Sequence, residues 1–375
     1  MAPLISIAGT VSYCPNPTHG PLANVTLNLT GSATGTTITD GSGNYALSSL
    51  ASGGNYTVTP FKTGLTPGGS GAAVNTIDII AAQRHFLQVT LLTGCRLAAG
   101  DVNGDSTVNT IDIVAMQRFF LGLSTGIANT GHYVFTPASR NYPGTLTSQA
   151  GQDFDAMVLG DVATPFAARE AGPAPNGAEN SMDAPEVPSS VSVVALPNVA
   201  VDTSMTGFVA GVTTTLVDAN DNVVGFQGDF TFDSTLIAFE DEPVQKAGLT
   251  AGNWTVAGHV LSGPGPIKTL RVSGFSNDLE PLSGSGTLFE LRMERVTRAG
   301  RVTQMLWAAP PDHFIFIDAD LNTLKPHYAA PGSLTPSLGR KEVQPETDTA
   351  EANNSSEPEA EPTLDETSVP LDDLE

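Results

Sequence analysis

Asp101-Val-Asn-Gly-Asp-Ser-Thr-Val-Asn-Thr-Ile-Asp112, running on through Ile113-Val-Ala-Met-Gln-Arg-Phe-Phe-Leu121, is the stretch from which the rest of the chain can be read. Oxygen-bearing side chains recur at loop positions 1, 3, 5, 9 and 12, as Asp101, Asn103, Asp105, Asn109 and Asp112. The carbonyl of Thr107 falls at position 7, and Gly104 sits inside the sharp turn. A hard cation such as Ca²⁺ takes roughly six to eight oxygens at mixed angles, and a loop with this spacing gathers them around one point. Asp at position 12, where Glu is usual, shortens the bidentate reach. The expected ligands are therefore Asp101, Asn103, Asp105, Thr107, Asn109 and Asp112, with calcium as the one cofactor.

The helix expected after this loop is half of an internal repeat. Val74-Asn-Thr-Ile-Asp-Ile-Ile-Ala-Ala-Gln-Arg-His-Phe-Leu87 aligns with Val108–Leu121 at an offset of 34 residues, and 11 of 14 positions are identical. Ile111, Val114, Ala115, Arg118 and Phe119 follow the helical period of one buried stripe, while Ile113, Met116 and Phe120 form a second. A module this small cannot bury both stripes well. One is expected against the sister helix and the other against a neighbouring domain or partner. The duplicated loop-plus-helix pattern resembles a type I dockerin, in which two such units pack with pseudo-two-fold symmetry and a helix face binds a cohesin.

The first unit departs from the loop pattern. Pro67, Gly69 and Gly71 stand at positions 1, 3 and 5 and offer no side-chain oxygen, so only Asn75 and Asp78 remain. Further on, Leu159-Gly-Asp-Val162 echoes Ala99-Gly-Asp-Val102, the lead-in to the intact loop. Either Asp161 returns to supply a carboxylate to Asn75 and Asp78, making a weaker second calcium site, or it is an ordinary Gly-Asp turn after a strand.

Outward from this module the pattern becomes β. Residues 1–63 alternate in short runs such as Ile5-Ser-Ile7, Val25-Thr-Leu-Asn-Leu29 and Tyr56-Thr-Val58, with turns every eight to twelve residues, the pattern of a small antiparallel sandwich. Gly9-Thr-Val11, Pro21–Val25, Thr39–Tyr45 and Asn55–Val58 resemble the carboxypeptidase-regulatory-like family, whose transthyretin-like or Ig-like sandwiches imply spacing or adhesion. Residues 64–165 are expected to be the calcium module with a C-terminal extension, and 166–190 a linker. Residues 191–332 return to strands and suit a jelly-roll or Ig-like sandwich. Within them Gly225–Leu236 and Gly284–Met293 resemble a cohesin, which implies a sheet face that binds dockerins. Residues 333–375 form an acidic tail expected to be disordered. The fold class is thus mainly β: two antiparallel sandwiches, a small duplicated loop-helix module between them, and the tail.

Composition narrows the function. The net charge is −23, of which residues 341–375 carry −11, so neither nucleic acid nor an anionic membrane suits this surface. No apolar run is long enough to span a bilayer. The start, Met1-Ala-Pro-Leu-Ile-Ser-Ile7, lacks the basic and apolar regions of an export signal. Cys14 and Cys95 either form a disulfide, worth on the order of 4 kcal/mol by the loop-entropy model, or are two buried thiols. The six histidines are scattered, and no nucleophile elbow, phosphate loop or dinucleotide fingerprint occurs, so no enzyme is expected. Dockerin-like and cohesin-like surfaces on one chain imply an extracellular or cell-surface structural protein. If they do not close internally, copies join head-to-tail into a filament, tube or surface layer. The alternative is an adaptor that docks other cohesin- or dockerin-bearing proteins or polysaccharide-degrading enzymes.

Overall fold

Alternation of apolar and polar side chains sets the first six strands: β1 (Leu4–Tyr13), β2 (Gly20–Pro21), β3 (Thr26–Gly31), β4 (Gly35–Ile38), β5 (Asn44–Ala51) and β6 (Gly54–Phe61). Ile5, Ile7, Val11 and Tyr13 of β1 point inward to meet Leu27, Leu29, Tyr56 and Val58. Helices α1 (Thr76–Phe86), α2 (Cys95–Gly100) and α3 (Thr110–Phe120) come next, then β7 (Tyr133–Thr136), β8 (Arg140–Thr145) and β9 (Phe154–Val158). The computed structural model describes residues 3–14, 20–70, 73–163, 187–202, 206–296 and 303–337.

The boundary expected at residue 63 is not where the first sandwich ends. β9 pairs in parallel with β1, joining Val11 to Phe154, and β8 pairs with β6, joining Thr57 to Asn141. The two sheets run β2-β1-β9-β7, with β5 on β1, and β4-β3-β6-β8. Residues assigned from sequence to the calcium module's extension therefore complete the first sandwich, and the helices are an insertion between β6 and β7. The physical reason is the unsatisfied edge of β1 and β6, which local pattern does not reveal.

The second sandwich comprises β10 (Val187–Ala195), β11 (Asn198–Asp202), β12 (Gly207–Val217), β13 (Val223–Asp233), β14 (Ile237–Lys246), β15 (Trp254–Val260), β16 (Ile267–Ser276), β17 (Gly284–Arg295), β18 (Thr303–Trp307), β19 (Ile315–Asp318), β20 (Thr323–Tyr328) and β21 (Gly332–Ser337). They form one hydrogen-bonded network of 12 strands in which β13 pairs with β16 on one side and with β18 and β19 on the other. Phe226 anchors its interior, with ring centroids 5.5 Å from Phe289, 5.7 Å from Phe314 and 5.9 Å from Trp254. Strand β10 begins inside the expected linker and β21 ends inside the expected tail; the rest of 166–190 and the acidic residues beyond 337 lie outside the described residues.

β13 and β16 are buried on both faces over most of their length. One face looks into the sandwich; the other is covered by the helices, whose core runs from Ile79 and Ile80 to Val224, Phe275, Ile315 and Ile317. That double burial explains the run Val223-Val-Gly-Phe-Gln-Gly-Asp-Phe, which lacks clean alternation.

Cys14, at the end of β1, is disulfide-bonded to Cys95, the first residue of α2, at a sequence separation of 81 and a Cα–Cα distance of 6.3 Å. The bond ties the first sandwich to its helical insertion. By the loop-entropy argument, reduction or a Cys14→Ser/Cys95→Ser double variant should cost about 4 kcal/mol in denaturant unfolding. An unchanged unfolding midpoint under reducing conditions would contradict this.

Candidate metal loop and docking face

The loop 101–112 is shaped by its own side chains. Asp101 Oδ1 accepts from the amides of Gly104 and Asp105 at 2.8 and 3.0 Å, and its Oδ2 accepts from Ser106 at 2.8 Å. Asp105 accepts from the amide and hydroxyl of Thr107 and from the side-chain amides of Asn103 and Asn109. The turn needs left-handed backbone at Gly104 (φ 77°) and at Ser106 (φ 70°). Ser106 holds position 6, where calcium loops of this kind use glycine, so the closure of the loop overrides that residue's backbone preference. Asn109 then caps α3, accepting from Ile111, while Asp112 Oδ2 accepts from the Asn109 amide.

All six expected ligand residues thus belong to one closed ring. Among the described residues no three His, Cys, Asp or Glu side chains converge as a ready metal cluster. The donor set here mixes three carboxylates with two amides and a carbonyl, the oxygen-rich chemistry that suits calcium. Burial, with the Asp101 charge adding to it, raises the Asp112 carboxyl above its ordinary range, although three backbone amides oppose the shift. A cation among Asp101, Asp105 and Asp112 would offset that repulsion. The residues fit Ca²⁺, which would supply charge neutralisation and rigidity.

The first unit is built on the same plan from a different piece of chain. Asn75 caps α1, accepting from Ile77, and Asp78 Oδ2 accepts from the Asn75 amide at 3.0 Å. Asp78 Oδ1 accepts from the amides of Val162 and Ala163 at 2.8 and 2.9 Å. In the second unit Asp112 Oδ1 accepts from Val102 and Asn103, at 2.9 and 3.3 Å. Leu159-Gly-Asp-Val162 therefore occupies, at Asp78, the place that Ala99-Gly-Asp-Val102 holds at Asp112. The segment returns as expected in position, and its backbone amides meet Asp78. Asp161 Oδ2 accepts from the Tyr13 hydroxyl at 2.7 Å, and the side chain is buried. Burial first, then the Asp161 charge, push the Tyr13 phenol well above its ordinary range, so it remains a neutral donor.

The second expected helix stripe is buried, and the first needs correction. Ala115 and Phe119 are buried with Ile113, Met116 and Phe120, but Ile111 and Val114 stand exposed, as does Arg118. In α1 the matching Ile77 and Ile80 are buried, because α1 lies on β13 and β16. A Cβ at Gly225 would fall 2.4 Å from Ile80 Cδ1, so only glycine lets the helix approach this closely. The Thr76 amide donates to Gln227 Oε1 at 2.8 Å, its hydroxyl lies 3.0 Å from Ser273 Oγ, and Gln83 Nε2 donates to the Asn277 carbonyl at 2.7 Å. His259 Nδ1 is 2.9 Å from the Leu121 carbonyl.

At the centre is Arg271. Its Nε and Nη2 donate to Asp229 at 2.8 and 2.9 Å, and Nη2 also reaches Asp312 at 3.0 Å. Its Nη1 donates to the carbonyls of Gly69 and Phe120, at 3.0 and 3.4 Å, and the guanidinium sits 4.7 Å from the Phe120 ring centre. Ser70 hydrogen-bonds to Asp312 as well. None of Arg271, Asp229, Asp312, Gln227 or Ser273 stood out in the sequence. The one available signal was charge within strands that otherwise read as buried. These contacts close the helical module onto the second sandwich of the same chain, so the premise of head-to-tail filament growth, surfaces left open, is not met.

No family model matches the chain, and no curated protein matches it. Several solved structures do. The sixth cohesin of Acetivibrio cellulolyticus scaffoldin B, solved with a Cel5 dockerin mutant, shares 13% identity over 40% of this chain and 100% of its own, with a TM-score of 0.32. The Coh-OlpA–Doc918 complex from Clostridium thermocellum gives 13%, 39%, 99% and 0.32. The seventh ScaB type I cohesin of Pseudobacteroides cellulosolvens gives 10%, 43%, 99% and 0.30. A likeness of this size fixes neither partner nor function for the present chain.

Calcium at about a hundred times its Kd should stabilise the folded chain by about 2.7 kcal/mol, read as a rise in melting temperature at pH 7. Metal-free Asp112 has a raised carboxyl, so its contribution is fully present below the ordinary carboxylate range and is lost as pH rises through the raised value. The calcium increment should therefore grow from acid to neutral pH; a pH-independent increment would contradict the assignment. Separately, Arg271→Ala leaves Asp229 buried without its partner and should cost about 3–5 kcal/mol, measured by denaturant unfolding.

Proposed function

We propose that the chain is an extracellular, non-enzymatic, calcium-binding adaptor of the dockerin–cohesin kind, closed on itself through one helix face and offering the duplicate face to an outside partner. The helical module plays the dockerin-like part, and the second sandwich is its internal cohesin-like receptor. The first sandwich serves as the rigid mount from which the module is presented. No described helix is long and apolar enough to cross a membrane.

The observation that carries this reading is the unequal use of two nearly identical helices. Ile77 and Ile80 are 7% and 0% exposed against β13 and β16, whereas their counterparts Ile111 and Val114 are 54% and 51% exposed. At the other helix ends the pattern reverses: Phe120 and Leu121 are buried, Phe86 and Leu87 exposed. Gln83 donates to the sandwich, while the matching Nε2 of Gln117, also buried, has no hydrogen-bond partner among the described residues. Buried amides are rarely left so. Through Ile111 and Val114 the repeat thus presents a second copy of an apolar surface whose complement is visible: a sheet face with Gly225 against Ile80, and the Gln227 amide and Ser273 hydroxyl at the helix start. Exposed apolar side chains grouped this way mark interaction sites.

Mixing two full-length chains tests the reading. An Ile80→Arg chain cannot seat α1, which leaves its sandwich face open to the α3 face of a wild-type chain. Light scattering after size exclusion should show monomeric wild type and a one-to-one complex in the mixture. Val114→Arg in the wild-type partner should abolish the complex. If the mixture remains monomeric while both chains keep their circular dichroism, the adaptor reading fails.

A further inference from the structure

We infer that the first unit of the repeat has exchanged its calcium for a strap of protein, Leu159–Ala163, so that calcium controls only the α3 half of the module. This deepens the adaptor reading and rests on it in one respect, that the α3 face is the one offered to a partner.

The two halves can be compared atom by atom. In each, an Asn caps the helix and an Asp three residues later accepts the cap's own amide through Oδ2. In each, Oδ1 of that Asp accepts two consecutive backbone amides: Val102 and Asn103 for Asp112, Val162 and Ala163 for Asp78. The two halves differ in the chain between those amides and the cap. After Val102 the chain continues through Asn103, Asp105 and Thr107 to Asn109, a ring of oxygens in one loop. Before Asp78, Pro67 and Gly69 bring no side-chain oxygen, and Gly69 gives its carbonyl to Arg271 instead.

The strap is secured by buried polar contacts, with the disulfide beside them. Asp161, which matches Asp101, accepts through its carboxylate from Tyr13 on β1. Tyr13 Oη also accepts from the Val158 amide at 3.1 Å, so one phenol holds both ends of the return. Cys95, beside Arg96, is bonded to Cys14, beside Tyr13. The Gly160 amide donates to the Ala99 carbonyl at 2.7 Å, joining the strap to the lead-in of the intact loop. A phenol and a neighbouring disulfide hold this half, where the other half presents carboxylates and amides.

The consequence is a division of labour. α1, strapped and docked, keeps its place with or without calcium. α3 begins at Asn109 and Thr110, whose positions depend on the loop, so the exposed Ile111 and Val114 are ordered only when the loop is.

Hydrogen exchange of the full-length chain, read by mass spectrometry in calcium and in EDTA, tests this. Removing calcium should speed exchange of residues 101–120 by at least about tenfold, while residues 76–86 and 158–163 change by less than about twofold. Metal analysis of the calcium-equilibrated chain should give one ion per chain. Tyr13→Phe, or Asp161→Asn should the first fail to fold, should loosen residues 76–86 in both conditions with the metal count unchanged. Equal loosening of both helices in EDTA, no loosening of either, or two ions per chain would overturn the inference. If exchange divides as expected but the mixed chains form no complex, the partner reading falls and the strap stands.

Discussion

The fold turns on a buried guanidinium. Arg271 sits on a β-strand, is almost wholly buried, and its donors all find acceptors: two on Asp229, one on Asp312, and the carbonyls of Gly69 and Phe120. A buried charge is tolerated only when paired and hydrogen-bonded throughout. Arg271 meets that condition only while both helical ends lie on the sheet, because the carbonyls of Gly69 and Phe120 come from opposite ends of the helical module. An ammonium could not match the planar fork that reads Asp229. The residue therefore couples closure of the module to the sandwich.

Around that point the chain is arranged as a mount, a joint and a receptor. The first sandwich is interrupted by the helices and resumes through β7, β8 and β9, so the joint is held at both ends. The Cys14–Cys95 disulfide and the Tyr13–Asp161 hydrogen bond add two further ties on the same side. The opposite side of the joint lies on β13 and β16. Between the two, α3 turns Ile111 and Val114 to solvent near its start.

Much of this was legible from residues. The ligand spacing of 101–112, the repeat, and the β character of both flanks rest on short-range patterns, and the structure is mainly β as those patterns require. Three things were hidden, each for a physical reason. The parallel pairing of β1 with β9 joins residues more than 140 positions apart, and no local period encodes it. The return of Leu159–Val162 shows as a sequence echo, but the backbone contacts it makes at Asp78 were not legible, since amides carry no sequence signature. The two helices differ at three of fourteen aligned positions, so their unequal exposure is set by the surfaces across from them and not by their own composition. Arg271 was missed because an arginine in a strand ordinarily reads as a solvent-facing residue.

Seating of the helical module on the second sandwich of its own chain is the point on which mount, joint and receptor all depend. The most direct measurement is a nuclear Overhauser contact between the Ile80 δ1-methyl and Gly225, in chains with that methyl and glycine labelled. The contact should be present and should persist when the labelled chain is diluted into an excess of unlabelled chain. Its absence, or its loss on dilution, would contradict closure within one molecule.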